Sequence, residues 1–257
     1  MRGAVFMQPI VKGRYRGRLA QSAADIRAAQ ALRWLCFVAR NGDAATRDDL
    51  DRDDMDDSCQ HMLVEDRDSG QLVCTFRFLP LSGGHEIGRS YSAQFYNLRS
   101  LEGFNAPMVE MGRFCIHPEW RDPGILRIAW AAMTRFVDDN GIEMLFGCSS
   151  FIGTRPEEHA EAFAMLRERH LAPRRWWPLV KAPNVFRFAR ALARRQADPR
   201  RAMAAMPPLL RSYLAMGGWV SDHAVVDPAL QTMHVFTGVE IRAIPDSRKR
   251  LLRADAV

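Results

Sequence analysis

The stretch from Val109 to Leu126 reads VEMGRFCIHPEWRDPGIL and contains the clearest structural signal in the sequence. Its first half, Val109 to Ile116, is apolar enough for a central strand, although Glu110 and Arg113 interrupt it with charge. Its second half contains Asp122-Pro123, a helix cap followed by a first-turn proline, so a helix should begin there. The stretch therefore predicts a buried strand that leads into a helix, an order typical of α/β proteins.

The elements on either side of this stretch also alternate between strand and helix. Apolar residues recur every three to four positions where we predict helices, and Val, Thr and Phe are concentrated where we predict strands. The remaining predicted strands are Met62–Val64, Leu72–Leu79, Ile142–Cys148 and a final pair around Val225 and His234–Val239. The predicted helices run from a cap at Ser22 to near Asn41, from Pro123 to Asn140, from Thr154 to before Pro173, over Asn184–Arg195 and over Pro207–Met216. This order predicts a mixed sheet flanked by helices.

Composition places the chain among ordinary globular proteins. It has 257 residues, of which 47% are hydrophobic and 26% charged, and this excludes a disordered chain, collagen and a coiled coil. We expect a single domain over residues 21–245, an extension over residues 1–20 and a tail over residues 246–257. The five cysteines lack paired spacing, and no apolar core of signal-peptide length follows the basic N-terminal residues, so we expect a reduced, cytoplasmic protein.

Charge is distributed unevenly along the chain. Residues 47–57 contain seven aspartates and two arginines, whereas residues 167–201 contain eleven Lys and Arg against two acids. A basic surface attracts any polyanion, so nucleic acid, an anionic membrane and an acidic carrier protein are all candidate partners of the second segment. The absence of a recognisable nucleic-acid module makes us expect no nucleic-acid partner.

Several well-known catalytic motifs are absent from the sequence. It contains no Walker loop, G-x-G-x-x-G, H-E-x-x-H or G-x-S-x-G motif. Phosphoryl transfer, hydride transfer and zinc hydrolysis therefore lose their strongest sequence support. The histidines are scattered, so we expect no metal site and no permanently bound cofactor.

Charged residues inside predicted strands are the remaining signal. Arg77 lies in a strand of Val, Phe and Leu, and Glu110 and Arg113 interrupt another. Buried charges persist only when they are paired, because desolvating one alone costs several kcal/mol. The further expected members of such a cluster are Arg33, Asp53 and Asp56. A purely structural ion-pair network explains this pattern as well as an active site does.

The spacing of Glu110 and Arg113 makes a geometric prediction. Positions three apart in a regular strand point to opposite faces of the sheet. If both residues serve one pocket, the strand must be irregular between them, as strands often are beside active sites.

Taken in order, these residues resemble a known family. The pattern Arg33-Trp34-x-x-Phe37, Asp53-x-x-Asp56, Arg77 and Glu110-x-x-Arg113-Phe114 resembles the acyl-homoserine lactone synthase branch of the GNAT-like acyltransferases. Residues 109–118, 150–154, 170–173 and 217–222 are more similar to the L-ornithine N-alpha-acyltransferases, and the similarity spans Ala20 to Ile244.

The resemblance implies a fold and a reaction. The fold is α/β and GNAT-like (the acyl-CoA N-acyltransferase fold), with a central mixed, mostly antiparallel sheet flanked by helices. The reaction moves a 3-hydroxyacyl group from the phosphopantetheine of acyl carrier protein to the alpha-amine of L-ornithine, giving lyso-ornithine lipid. The alternatives are a coenzyme A-dependent N-acyltransferase on another amine, an acyl-homoserine lactone synthase, and a non-enzymatic carrier-protein or membrane-binding module.

The resemblance also assigns roles to residues. Glu110 would be the general base and Arg113 its catalytic partner. The residues implied in binding the amino acid are Arg33, Trp34, Phe37, Asp53, Asp56 and Arg77. The residues implied in binding the pantetheine arm and its carrier are Phe114, Cys115, Ile116, Arg121, Gly124 and Arg127. Core packing of a helix explains Trp34 and Phe37 equally well.

The sequence departs from the family pattern at two places. The loop that would hold a pyrophosphate has Leu126 where a small residue is usual, which argues against coenzyme A but not against a carrier-bound pantetheine. Ser221 and His223 also differ from the ornithine-type pattern. The basic segment with Trp176-Trp177 resembles an interfacial helix, so a peripheral contact with an anionic membrane is expected, and a solvated helix is the alternative.

Overall fold

The computed structural model describes residues 7–39 and 48–256. In chain order, the strands of this part are β1 (Ile10–Lys12), β2 (Tyr15–Leu19), β3 (Gln60–Asp66), β4 (Leu72–Leu81), β5 (Tyr96–Asn97), β6 (Met108–Ile116), β7 (Met144–Ile152), β8 (Leu179–Val180), β9 (Val185–Phe186), β10 (Trp219–Val220), β11 (Ala224–Asp227) and β12 (Thr232–Glu240). The α-helices are α1 (Ala23–Phe37), α2 (Ser92–Phe95), α3 (Pro123–Asp139), α4 (Ala160–Arg169), α5 (Phe188–Ala191), α6 (Pro199–Ala205), α7 (Pro208–Ala215) and α8 (Asp246–Ala256). None of these helices is long and apolar enough to cross a membrane.

The chain divides into two compact units. The first unit comprises Met1–Pro80, Met111–Ile142 and Asp246–Val257, and the second comprises Leu81–Glu110 and Glu143–Pro245. Residues 10–19, which we expected in an extension, form β1 and β2, and β2 pairs with β3. Residues 246–256, which we expected in a tail, form α8.

The first unit contains a meander in which β1, β2, β3 and β4 pair antiparallel in that order. Helix α3 packs on one face of these strands, where Gly17 of β2 leaves room for Ile128 and Ala132 of the helix. Phe78 of β4 stacks on Phe136 of α3 with ring centroids 4.4 Å apart. The apolar face of α3 therefore forms the core of this unit.

The helix caps predicted at Ser22 and Asp122 are confirmed. The Ser22 hydroxyl accepts a hydrogen bond from the backbone N–H of Asp25, and α1 begins at the next residue, Ala23. Asp122 caps α3 in the same way by accepting from the N–H of Gly124. Helix α1 ends at Phe37, before the predicted end near Asn41, which lies outside the described residues.

Strand β6 is irregular where the spacing of its charges predicted. Arg113 adopts φ +54°, a left-handed conformation that non-glycine residues rarely take and that a regular pleat does not contain. The side chains on either side of Arg113 therefore do not follow the simple alternation of a strand.

The second unit contains a mixed, mostly antiparallel sheet. Residues 108–110 of β6 pair in parallel with residues 144–146 of β7, and β7 pairs antiparallel with β12 along its whole length. Strands β10 and β11 both pair antiparallel with β12, and β9 pairs antiparallel with β11. Helix α4 packs against α5 and α6.

The predicted helix over Asn184–Arg195 is wrong. Val185 and Phe186 form a strand that pairs with β11, and only the four residues of α5 are α-helical. Phe188 is fully buried, because its ring stacks on Phe163 of α4 with centroids 5.1 Å apart. The apolar residues of this segment therefore do not form the single face of an interfacial helix.

Two other predicted elements are shifted. The strand predicted over Ile142–Cys148 occupies Met144–Ile152 instead. The helix predicted from Thr154 begins with a 3-10 turn over Pro156–His159, and α4 follows it. Arg155, not Thr154, is the cap residue of this turn, and no side-chain hydrogen bond caps it.

Candidate active site

Five of the predicted site residues come together in the first unit, where they form an ion-pair cluster with one further acid. This cluster consists of Arg33, Asp51, Asp53, Asp56, Arg77 and Arg113. Its three arginines and three aspartates balance in charge, as a cluster of buried ions requires.

Asp56 is the buried centre of the cluster. Its Oδ1 atom accepts from Nη1 of Arg33 at 2.7 Å and from Nη1 of Arg77 at 2.6 Å, and its Oδ2 atom accepts from Gln30 at 2.9 Å. Burial alone would raise the pKa of Asp56, but the hydrogen bond and ion pair with Arg33 outweigh it and hold that pKa well below its ordinary value. Asp56 is therefore ionised and fully engaged by protein donors.

Asp53 lies at the more open side of the cluster. Arg77 binds both of its carboxylate oxygens, at 2.5 and 2.7 Å, and Nη2 of Arg113 lies 3.2 Å from Oδ2. Its side chain is 25% exposed, against 7% for Asp56. Burial raises the pKa of Asp53, but the ion pair with Arg77 more than offsets this, so the pKa lies below its ordinary value.

Strand alternation explains why Arg77 reaches this cluster. Phe76 and Phe78 point toward the α3 side of β4, so Arg77 between them points to the other face. His61 of β3 pairs directly with Arg77, and its Nε2 atom lies 3.2 Å from the backbone oxygen of Asp56. Burial lowers the pKa of His61, so this neighbour adds no positive charge at neutral pH.

The aromatic residues predicted beside the cluster lie on α1, where Arg33 also lies. Trp34 and Phe37 are both half-buried, which is compatible with contact to a ligand and with helix packing. Their role stays a prediction.

The residues predicted to bind pantetheine lie on β6 and at the start of α3. The ring of Phe114 lies 5.4 Å from that of Phe76, and the carbonyl oxygen of Ile116 accepts from the Cys36 thiol at 3.4 Å. Cys115 is buried, and this burial raises the pKa of its thiol, so it is not a thiolate nucleophile at neutral pH.

The N-terminus of α3 already holds a carboxylate of its own chain. Asp122 accepts from the N–H of Gly124 at 2.7 Å and from the hydroxyl of Tyr15 at 2.7 Å. These bonds lower the pKa of Asp122, so it is ionised, while burial and the bond to Asp122 raise the pKa of Tyr15 to about 12. Arg121 and Arg127 are exposed on either side of this cap.

Glu110 belongs to the second unit, where backbone and side-chain donors hold its carboxylate. Oε2 accepts from the N–H of Tyr91 at 2.8 Å, and Oε1 accepts from the N–H of Ser92 at 2.8 Å and from its hydroxyl at 2.5 Å. Glu110 is only 4% exposed. These donors fix the orientation of this carboxylate.

Sequence reasoning missed two of these partners. Asp51 pairs with Arg33 at 2.8 Å and with Arg113 at 3.1 Å, but it lies in a run of seven aspartates that nothing in the sequence distinguishes. Ser92 contacts Glu110 from a segment that carries no motif, so no sequence signal pointed to it.

Comparison with known proteins identifies the family. Residues 32–131 match the model of the acetyltransferase (GNAT) domain. The chain is 34% identical over 250 residues to an L-ornithine N(alpha)-acyltransferase of Rhizobium meliloti (strain 1021), an alignment that covers 93% of this chain and 84% of the relative. The chain belongs to the L-ornithine N(alpha)-acyltransferase family.

A second relative agrees with this assignment. The enzyme of the same name from Rhodobacter capsulatus is 32% identical over 244 residues, covering 91% of this chain and 93% of that one. Among solved structures, the acyl-homoserine lactone synthase LasI is 16% identical, covers 87% of this chain and 89% of its own, and superposes with a TM-score of 0.42. The family match and the two relatives make the chain an acyltransferase with a GNAT-type fold, and both predictions are confirmed.

Proposed function

We propose that this chain transfers a 3-hydroxyacyl group from acyl carrier protein to the alpha-amine of L-ornithine and so produces lyso-ornithine lipid. Family membership supports the amino acid, because the relatives are named for acylating the alpha-amine of L-ornithine. We place the reaction in the cytoplasm, where acyl carrier protein loaded with an acyl group and free amino acids are both available.

In this mechanism Glu110 removes the proton that prevents the amine from attacking. The amine nitrogen forms a bond to the thioester carbon, the carbon–sulfur bond breaks, and the pantetheine thiol leaves with a proton. The donors from Tyr91 and Ser92 hold the Glu110 carboxylate in one orientation, as a general base requires. Backbone N–H groups of the strands would stabilise the oxyanion of the tetrahedral intermediate.

The ion-pair cluster would bind the cationic end of ornithine through Asp53. Its carboxylate is the more exposed of the two acids in contact with Arg77, whereas Asp56 is enclosed by Arg33, Arg77 and Gln30. We therefore assign Asp56 a positioning role, in which it holds the two arginines, and assign substrate contact to Asp53. Trp34 and Phe37 would cover the bound amino acid.

The cap of α3 supports a carrier protein as donor. Coenzyme A would bring a pyrophosphate to the helix N-terminus, but the ionised Asp122 already accepts from the N–H of Gly124 there. A pyrophosphate would have to displace this carboxylate or lie beside it against charge repulsion. Phosphopantetheine on a carrier lacks the pyrophosphate of coenzyme A, and the exposed Arg121 and Arg127 offer charge complementary to an acidic carrier.

A peripheral membrane contact suits the acylated product. Trp176 packs on Phe104 and beside Arg175, and Leu179 is half-exposed three residues further on. We propose that Arg175, Trp176 and Leu179, which lie in the basic segment, face anionic lipid when the product leaves.

Expression in a host that lacks ornithine lipids tests the proposed function. Mass spectrometry of the lipid extract should show a new N-(3-hydroxyacyl)ornithine for the unaltered chain and for Glu102→Gln, an exposed control in the same unit as Glu110. Glu110→Gln should yield none. An unchanged lipid profile from soluble protein would contradict the proposal.

A further inference from the structure

One face of the sheet in the second unit carries a polar row beneath an apolar cover. Directly paired residues of neighbouring strands point to the same face. Glu110 pairs with Phe146, Cys148 with Phe236, and Ser150 with His234. Residues 146, 148 and 150 alternate along β7, so all of these side chains share one face.

The segment from Tyr91 to Tyr96 lies over this face and joins its polar groups. The Ser92 hydroxyl lies 2.5 Å from Oε1 of Glu110 and 3.4 Å from the sulfur of Cys148. The Tyr96 ring lies 5.7 Å from the ring of His234 and 5.2 Å from that of His223. A row of polar groups therefore leads from Glu110, past Cys148, to two histidines, with Phe146 and Phe236 on the same face.

His234 presents an unused acceptor to this row. The Tyr96 hydroxyl donates to the backbone oxygen of His234 at 2.7 Å, so at 3.2 Å it accepts from Nδ1 of the same residue. The proton then resides on Nδ1, and Nε2 carries a lone pair. Burial lowers the pKa of His234 to about 4, so the ring is neutral at physiological pH.

His223 presents a second unused ring nitrogen. The residue is fully buried, and its Nδ1 atom lies 2.6 Å from Oδ1 of Asp222, which as a carboxylate accepts the bond. Within residues 7–39 and 48–256, no protein group makes a hydrogen bond to Nε2 of either His223 or His234. A buried polar atom without a hydrogen-bond partner lowers the stability of the fold by about 1–3 kcal/mol. Two such nitrogens on one face of the sheet therefore call for a partner from outside the protein.

An uncharged hydroxyl matches the Nε2 atom of His234 better than a cation does. A hydroxyl donates one hydrogen bond, and the lone pair on Nε2 of the neutral His234 ring accepts one. An ammonium group would be desolvated here, and Asp222, the carboxylate in contact with His223, is already engaged by Nδ1 of that ring.

We propose that Nε2 of His234, with the ring of His223 nearby, forms a subsite that accepts a hydrogen bond from the hydroxyl group on the acyl chain of the donor. This inference rests on the proposed function, because it assumes a hydroxylated acyl donor that reacts beside Glu110. Cys148 is a diagonal neighbour of both Glu110 and His234, and such neighbours lie about 7–8 Å apart. An acyl chain that starts near Cys148 and follows the row therefore brings its first few carbons toward the histidines.

The test compares two donors of equal chain length, 3-hydroxyacyl and unsubstituted acyl carrier protein, with L-ornithine as acceptor. Because a site built to hydrogen-bond a hydroxyl rejects analogues that lack it, the unaltered enzyme should prefer the hydroxylated donor in kcat/KM by roughly tenfold or more. His234→Phe keeps an aromatic ring among Phe95 and Phe236 but removes the acceptor. It should abolish most of this preference by lowering kcat/KM for the hydroxylated donor alone.

His159→Phe is the matched control. His159 is a buried histidine whose Nε2 also has no hydrogen-bond partner among the described residues, but its ring packs on Phe151, on the opposite face of β7. This variant should retain the full preference. An equal loss for both donors in His234→Phe would assign the histidine a structural role and overturn the inference.

Two further readouts separate the possible failures. An unaltered enzyme that acylates ornithine without preferring the hydroxylated donor would overturn the subsite but leave the proposed function intact, whereas no transfer from either donor would overturn both. If His234→Phe does not fold, imidazole ¹⁵N spectra of the unaltered protein decide the question. 3-Hydroxyacyl pantetheine should shift the Nε2 resonances of His223 and His234, and unsubstituted acyl pantetheine should not. Identical spectra with the two ligands would contradict the subsite.

Discussion

Replacing Asp56 by Asn should destabilise the first unit more than any other single change in the ion-pair cluster. The substitution keeps the shape of the side chain but removes the charge that Arg33 and Arg77 share. Both arginines are nearly inaccessible, at 1% and 3% exposure, so water cannot replace the lost partner. Breaking a buried ion pair on one side costs about 3–5 kcal/mol, which for a chain of this size lowers Tm by roughly 6–20 °C.

Differential scanning calorimetry of Asp56→Asn and Asp57→Asn measures this effect directly. Asp57 is the next residue in the chain, and its exposed side chain makes it a matched control in which Tm should change by less than about 2 °C. Equal melting temperatures for the two variants would refute the argument that Asp56 holds the cluster together.

Three further predictions concern pH, catalysis and carrier docking. The folded-state pKa of Asp56 lies below the unfolded value of about 3.9, so the stabilisation by its carboxylate is present above that pH and is lost as the pH falls. The Tm difference between the unaltered chain and Asp56→Asn should therefore shrink below about pH 4. A Tm difference that stays constant down to about pH 2 would contradict this prediction. Glu110→Gln should lower kcat about 100-fold or more while changing the Kd for acyl carrier protein less than about twofold, and a kcat above a tenth of the normal value would exclude Glu110 as the base. Arg127→Glu should raise KM for the carrier about tenfold at low salt and much less at 0.5 M NaCl. Arg250→Glu, a change at an exposed residue of the same unit, should leave this KM unchanged. An equal rise of KM in the two variants would exclude docking of the carrier at α3.

The sequence predicted those features that depend on local chemistry. The caps at Ser22 and Asp122 are confirmed because a cap needs only one oxygen-bearing side chain at the correct distance from a helix. The cluster around Arg77 was predictable because a charge in an apolar strand requires partners. The spacing of Glu110 and Arg113 predicted an irregularity between them if both serve one pocket, and the structure has one at Arg113 itself.

Features that depend on distant contacts were not predictable. The segment after Asn184 has the apolar spacing of a helix. However, Val185 pairs with β11, and the ring of Phe188 stacks on that of Phe163 in α4, so the chain forms a strand and a short helix instead. The partners of Glu110 are largely backbone N–H groups, which leave no trace in a sequence. Asp51 is held beside the cluster by the hydrogen bond that its backbone N–H donates to the carbonyl oxygen of Gln30, a contact that the sequence does not show.

The most direct test of the account is a reaction of the purified chain with L-ornithine and one of two donors, 3-hydroxyacyl carrier protein or the corresponding coenzyme A thioester. Mass spectrometry reports the acylated amino acid. Because Asp122 occupies the helix N-terminus where a pyrophosphate would bind, we predict N-(3-hydroxyacyl)ornithine from the carrier donor, with kcat/KM at least about 100-fold above that of the coenzyme A donor. Equal use of the two donors, or transfer to an amine other than the alpha-amine of ornithine, would contradict the account.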